Sequence, residues 1–339
     1  MQSYAVTARA PGKIILSGEH AVVYGRPAIA LAIDRYATTT ITPQSGYGIW
    51  FEFLNDELKH VATMEELQDL KTQISKRYRK FTVGKCQIRD VIRNPLELIQ
   101  YTFIYLVEHL SLATKGGLKI QIELTLPIGC GMGASASVIL SVMHALINYC
   151  GQTLTVDKYL YFGREIENLQ HGRSSGLDLF LSLHGGCYFF NAGNANKRSL
   201  PNLPFVLVNT GKAETSTGEC VESVAKHLQD GVLADEFSNT ALAFDLALRQ
   251  HNLAMVKECV RRNHELLLAI EVVPKRVADF IAAVEVRGNV AKVSGAGAIS
   301  GDSAGVVLVV GEAEISDLVA EYGYTTLSVN GESSGVCLI

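Results

Sequence analysis

Apolar positions recur at two periods along this chain, and the changes between them mark out its elements. Alternation and β-prone runs predict strands at residues 4–9, 13–16 and 119–126, with Pro11-Gly12 as the hinge between the first two. An apolar run over 28–33 continues the sheet after the Gly25-Arg26-Pro27 turn, so the chain opens β-rich. Helical spacing then takes over. Asn94-Pro95-Leu96-Glu97 supplies a cap, a first-turn proline and a glutamate at the third position, and Leu96, Ile99, Phe103, Leu106, Val107 and Leu110 share one face beyond it. Val138, Val142, Ala145, Leu146 and Tyr149 predict another helix, stopped at Gly151, and residues 155–170 a third. Residues 57–80 are charged and read as a solvated helical excursion.

Residues 184–191 read as a strand, and 191–204 as a polar loop dense in Asn, Gly and Pro that places a domain boundary near residue 200. Beyond it come a strand at 205–209, three helical stretches between Val221 and Val284, and two short strands flanking a loop at 294–305. That order is α+β. In the helix over 155–170, Val156, Leu160 and Gly163 mark the inward stripe, and Glu167 lies two turns beyond Leu160 on the same face, whereas Glu165 is turned away by about 140°. A carboxylate on an apolar face is costly unless something such as a cation compensates it, so Glu167 is expected either to face a cation or to bond a backbone N–H near the helix end.

Composition narrows the partners. At 339 residues and 48% apolar the chain holds ample core for two domains, and a net charge of −4 leaves no basic field for nucleic acid. Seven cysteines without a Cys-x-x-Cys pair predict reduced thiols in a cytoplasmic protein, and no signal peptide is indicated. Residues 124–156 lack any charge, but Pro127 and three close glycines break them well short of a membrane span.

The chemistry gathers where glycine does. Pro-Ile-Gly-Cys-Gly-Met-Gly-Ala-Ser-Ala-Ser, residues 127–137, follows a strand and enters a helix, the setting in which backbone N–H groups and a helix dipole cradle phosphate. Ala134 stands where a Walker loop needs lysine, and the helix at 155–170 occupies the place of the second strand that a dinucleotide fold requires. Three further clusters pair glycine with charged or hydroxyl side chains: residues 11–25, residues 167–178, and Lys292-Val-Ser-Gly-Ala-Gly297. Together they supply what phosphoryl transfer needs: a cradle, an oxygen-ligand metal site, a cation and an acid–base group. Singly, Lys13 reads as a turn lysine, His171 as a helix end and Asp178 as a helix cap. Packing alone does not explain their order.

The first cluster, the 127–137 loop and the third glycine loop resemble the three motifs of the galactokinase, homoserine kinase, mevalonate kinase and phosphomevalonate kinase (GHMP kinase) superfamily, in order and over most of the chain. Gly18-Glu-His-Ala-Val-Val-Tyr-Gly25-Arg-Pro-Ala is similar to the mevalonate kinases in particular, because galactokinases typically follow Gly-Glu-His with Thr-Asp. The resemblance implies an α+β fold, with an N-terminal α/β domain over 1–200, a ferredoxin-like C-terminal domain over 201–339, and the active site between them. It implies ATP-dependent phosphorylation of the primary hydroxyl of mevalonate, with Mg²⁺, and a homodimer. Residue by residue, it implies Asp178 and Lys13 as the catalytic pair, Ser135 and Glu167 as metal ligands, and Pro127, Gly129, Gly131, Gly133, Ala134, Ser135 and Ala136 as the ATP-binding loop. Glu19 and His20 fall on the substrate side. Thr217 matches a threonine near the transferred phosphate, with the register over Thr215, Ser216 and Thr217 open by a residue or two.

Two departures stand out. Ala134 replaces a common serine, and Ala-Ile-Ser-Gly-Asp follows Gly297 in place of a glycine run. Two readings from other classes also compete: a hydrolase, since 172–176 and 301–305 both fit Gly-x-Ser-x-Gly, and a nucleotide-binding module without turnover.

Overall fold

Side-chain parity in the first strand decides what the rest of the molecule packs against. The structure is a computed structural model describing residues 5–114, 116–191, 194–229 and 231–339. Strand β1 (Val6–Ser17) leads through a 3₁₀ turn at Ala21–Tyr24 into β2 (Ala28–Gln44), the antiparallel pair β3 (Ile49–Phe53) and β4 (Leu58–Ala62), helices α1 (Met64–Thr82) and α2 (Pro95–His109), and β5 (Gly117–Leu124). Helices α3 (Ala134–Tyr149), α4 (Val156–His171) and α5 (Leu177–His184) precede the pair β6 (Cys187–Asn191) and β7 (Asn194–Arg198). The second half runs β8 (Phe205–Asn209), α6 (Thr217–Leu228), α7 (Val232–Arg249), α8 (Leu253–Ala269), α9 (Lys275–Val286), β9 (Val290–Ser294), β10 (Val306–Val310), α10 (Ser316–Glu321) and β11 (Thr325–Leu327). Strand β12 (Cys337–Leu338) closes it.

The first sheet is ordered β12-β1-β2-β5-β3-β4, with β6 added to the near end of β2 and β7 beyond it. The second is antiparallel in the order β11-β8-β10-β9, which with helical crossovers between β8 and β9 and between β10 and β11 is the ferredoxin-like arrangement. In β1 successive side chains alternate between two cores. Ile14 and Leu16 enter a buried cluster with Leu207, Val306, Leu308 and Val310 of the second sheet and Phe244 and Val260 of α7 and α8, whereas Ile15 packs with Leu177 and Leu181 of α5. One apolar interior therefore runs across both halves. The same alternation puts Lys13 on the α5 side with Ile15.

Several elements differ from expectation. The first two strands form one strand, with a register shift between Pro11 and Gly12 in place of a hinge; Tyr4 lies outside the described residues. Residues 57–80 begin with β4, whose Leu58 to Ala62 pair with Phe53 to Ile49, before α1 takes over with Leu67 and Ile74 buried. Helix α2 is buried on every side from Leu98 to Val107, because α1, α3 and β3 all pack on it. The expected strand over 184–191 starts at Cys187, as His184 ends α5, and four helices, not three, fill the stretch after β8. The boundary expected near residue 200 falls between β7 and β8, yet the 201–339 segment does not keep to its own side, since β12 pairs with β1 at Ala8–Leu338 and Arg9–Cys337.

Candidate active site

A cleft of about 480 Å³ lies where the two halves meet, lined by the 129–135 loop, the start of α5, the end of α4, the 212–217 segment and Gly295 to Gly297. Gly129, Gly131 and Gly133 adopt φ of 72°, 79° and 75°, the left-handed region open to glycine, and Gly133 caps α3. Close approach adds a second reason for glycine at position 131. A Cβ there would stand 2.7 Å from Ser294 O, where the loop backs onto the third glycine loop. Pro127 and Ala136, expected in the ATP-binding loop, do not line the cleft; Ala136 is buried within α3. The lining contributed by the third motif ends at Gly297, where the chain turns away and Ala298 N–H donates to Val272 O at 3.0 Å.

The parity of β1 delivers Lys13 to this cleft. Its Nζ is 3.3 Å from Asp178 Oδ2 and donates to Gly131 O at 2.9 Å, while its backbone N–H donates to Met132 O at 2.9 Å. Asp178 occupies the first turn of α5 behind the left-handed cap Gly176, so the carboxylate sits at the positive end of a helix. Glu167 is buried near the end of α4, accepts a hydrogen bond from Ser174 Oγ, and faces the cleft. Burial, reinforced by the Asp178 charge, pushes its carboxyl well above the usual range. Glu165 is exposed. The stripe that placed Glu167 inward was partly misphased, because Val156 is 48% exposed and Tyr159, Phe162, Ile166 and Leu169 form the buried face.

Ser135 Oγ is 3.0 Å from His171 Nε2. His171 is thus the helix end expected from the sequence and also a partner of the hydroxyl at the mouth of α3; burial lowers its pKa to about 4, and its Nδ1 is buried without a partner. His20 also lines the cleft, with φ of 59°, Nε2 at 3.0 Å from Ala296 O, an unpartnered Nδ1, and a pKa lowered to about 4 by burial. Neutral imidazole with Nε2–H donating leaves Nδ1 as an acceptor. Thr215, Ser216 and Thr217 all line the cleft, but Thr215 Oγ1 is 3.2 Å from Ser300 Oγ and Ser216 caps α6 through Glu219. Thr217, in the first turn of α6, has no hydrogen-bond partner for its hydroxyl among the described residues.

Glu19 requires a correction. Expected on the substrate side, it is fully buried outside the cleft lining, where Lys292 Nζ donates to its Oε1 and Asn263 Nδ2 to its Oε2 at 3.0 Å. Lys292 Nζ also donates to Ile15 O at 3.1 Å, and Asn263 Oδ1 accepts from Ser17 Oγ at 2.7 Å. This network joins β1 to α8 and β9, which are hundreds of residues away in the chain, and breaking one side of such a pair costs about 3–5 kcal/mol. Lys292 was visible in the sequence only as a charge beside glycine; Asn263 carried no signal, because the contact that gives it a role is tertiary.

The competing serines are engaged elsewhere. Ser174 Oγ bridges Glu167 and the Gly176 N–H, and Ser303 Oγ donates to Thr210 O at 2.9 Å. Neither has the histidine that a hydrolase elbow needs. All seven cysteines are free, and among the described residues no helix is long and apolar enough to cross a membrane.

Comparison with known proteins agrees with this geometry. A family model for the GHMP kinases N terminal domain matches residues 97–186, from α2 to the end of α5. The chain is 29% identical over 309 residues to a mevalonate kinase of Thermococcus onnurineus, covering 86% of each. In fold it is similar to the solved mevalonate kinase of Methanococcus jannaschii, with a TM-score of 0.77 at 23% identity over 98% of this chain and 99% of that one. It also resembles a Lactococcus lactis galactokinase, with a TM-score of 0.75 at 15% identity over 98% and 95%. Residues 97–186, which hold the phosphate-loop segment, are thus a GHMP kinase N-terminal domain, in a chain that is similar to mevalonate kinases along most of its length.

Proposed function

We propose that this chain transfers the γ-phosphoryl group of ATP to the primary hydroxyl of mevalonate, in the cleft between residues 1–200 and the bulk of residues 201–339. The observation that carries the reading is the Lys13–Asp178 pair set against the glycine loop: a Cβ on Gly133 would lie 3.0 Å from Lys13 Cγ and 3.5 Å from Asp178 Oδ2. An acceptor hydroxyl hydrogen-bonded to Asp178 then faces a phosphate held on the loop. Its oxygen attacks the γ-phosphorus as the bond to the β–γ bridging oxygen breaks; ADP leaves and the hydroxyl proton passes to the Asp178 carboxylate. Lys13 neutralises charge between acceptor and loop. Positioning and electrostatics supply most of the catalysis in such a step.

The residues present suit Mg²⁺. Glu167, driven upward by burial and by Asp178, is the kind of crowded carboxylate that a cation relieves, and Ser135 Oγ adds a second hard oxygen. Ser135 and Glu167 would hold the ion. Since no group of three or more His, Cys, Asp or Glu side chains gathers as a metal site among the described residues, phosphate oxygens and water would complete its shell. When bound, the ion neutralises charge on the phosphates.

The fold does not choose the acceptor, since a galactokinase shares it. Local chemistry favours mevalonate. Ala21-Val22-Val23-Tyr24 lacks an acidic group for a sugar hydroxyl, and Val22, Val23 and Leu177 give that part of the cleft an apolar wall for a methyl-bearing chain. A coupled ADP-release screen with mevalonate, phosphomevalonate, homoserine and galactose tests the reading. Turnover with mevalonate and none with galactose is expected; preference for galactose or phosphomevalonate overturns it.

A further inference from the structure

Five lysine and arginine side chains line the cleft, Lys13, Arg89, Arg93, Arg173 and Lys212, and their surroundings distinguish them. Lys13 is paired with Asp178, and Arg89 with Glu219 at 3.4 Å. Arg93 and Lys212 have no carboxylate partner for their side chains among the described residues, and Arg93 stands just ahead of α2, where its backbone N–H donates to Glu97 Oε2 at 2.9 Å. Lys212 lies along the phosphate loop, close enough that a Cβ on Gly129 would be 3.0 Å from its Cγ. Arg173 remains. It lines the cleft with no carboxylate partner among the described residues, and its guanidinium carbon stands 5.7 Å from the ring centroid of Tyr24, the last residue of the first-motif turn.

We infer that Arg173 is the specificity-determining residue that binds the carboxylate of the acceptor, an inference that rests on the mevalonate reading above. Mevalonate carries a hydroxyl at one end of a short chain and a carboxylate at the other. With the hydroxyl on Asp178, the carboxylate end needs a cation on the first-motif side of the cleft, away from the phosphate loop. Arg173 is five positions before Asp178 in one short connection, and that connection is fixed although the side chain is exposed. Gly172 N–H donates to Asn168 O at 2.8 Å, Ser174 N–H donates to Asn168 Oδ1 at 2.8 Å, and the Ser174 hydroxyl ties the next turn to Glu167. The guanidinium lies over the Tyr24 ring, and its forked donors, with no carboxylate partner among the described residues, match the two oxygens of a carboxylate. Val22, Val23 and Leu177 line the same cleft and suit the apolar middle of the chain.

The test compares wild type, Arg173→Gln and Arg173→Lys with mevalonate and with the triol in which the carboxylate is reduced to CH₂OH. A lost charge-assisted hydrogen bond predicts that Arg173→Gln lowers kcat/KM for mevalonate by roughly tenfold or more, mainly through KM. Arg173→Lys recovers part of it. The triol is a poor substrate for wild type and indifferent to either substitution, and mevalonate alone raises the melting temperature of wild type more than that of Arg173→Gln. Equal losses for mevalonate and triol, or an unchanged KM in Arg173→Gln while wild type phosphorylates mevalonate, overturn the Arg173 inference alone. A wild type inactive toward mevalonate overturns the acceptor reading and this inference with it.

Discussion

Asp178 and Glu167 share one cleft and one sign of charge, yet their settings give them separable jobs. Asp178 is partly exposed beside Lys13, open to an acceptor, whereas Glu167 is buried and pushed upward by desolvation and by Asp178 itself. Asp178→Asn is therefore expected to cut turnover by roughly 10²-fold or more at an unchanged Mg²⁺ requirement. Glu167→Gln is expected to shift the Mg²⁺ titration to higher concentration, and Glu165→Gln, on the exposed face of α4, to leave it alone. Identical Mg²⁺ curves for wild type and Glu167→Gln would remove the metal assignment. At this scale the sequence was legible where a charged motif residue lands in the cleft, as Glu167 and Lys13 do, although Lys13 sits in strand β1 and the phase read for α4 was partly misplaced. It misled at Glu19, because the carboxylate of a Gly-Glu-His motif looks the same in sequence whether it turns to substrate or to a buried lysine more than two hundred residues away.

At the scale of elements, the glycines divide by what surrounds them. Gly25 and Gly131 have nearly the same φ, 76° and 79°, but a Cβ on Gly25 meets nothing within 4 Å while one on Gly131 meets Ser294 O at 2.7 Å. Gly25→Ala carries only the left-handed backbone cost, about 1–2 kcal/mol. Gly131→Ala must also force two loops apart, so urea unfolding should show a larger loss and titration with ATP a weakened affinity; equal effects would mean the loops do not depend on that approach. Local signals predicted α2, α3, α4 and β8 closely, since caps and periodicity sit in consecutive residues. β7 was missed because a short polar strand such as Asn194–Arg198 is specified by its partner rather than by an alternating apolar pattern, whereas β3 was missed although it does alternate, burying Ile49, Phe51 and Phe53.

For the whole molecule, the joined interior has a pH signature. His20, His171 and His264 are each lowered by burial from 6.5 to about 4. Between those values the unfolded chain binds protons that the folded chain refuses, so the stability present above about pH 6.5 is lost as pH falls toward 4. Melting temperature should fall across that window. His264→Gln, outside the cleft lining and beside the Glu19–Lys292 network, should flatten the slope; a slope unchanged by it would mean that His264 titrates normally.

The edge of the first sheet is closed by Cys337 and Leu338, and Ile339 N–H donates to Thr7 O at 3.0 Å, so the earliest strand waits for the last one. On a ribosome moving at about 5–20 residues per second, β1 stays open along that edge for tens of seconds after it emerges. A nascent chain stalled before residue 337 therefore leaves Thr7 to Arg9 unpaired on that side, a short stretch on which a neighbouring polypeptide can add a strand. Slower translation through the second half of the message is therefore expected to raise the aggregated fraction, measured by pelleting the newly made chain.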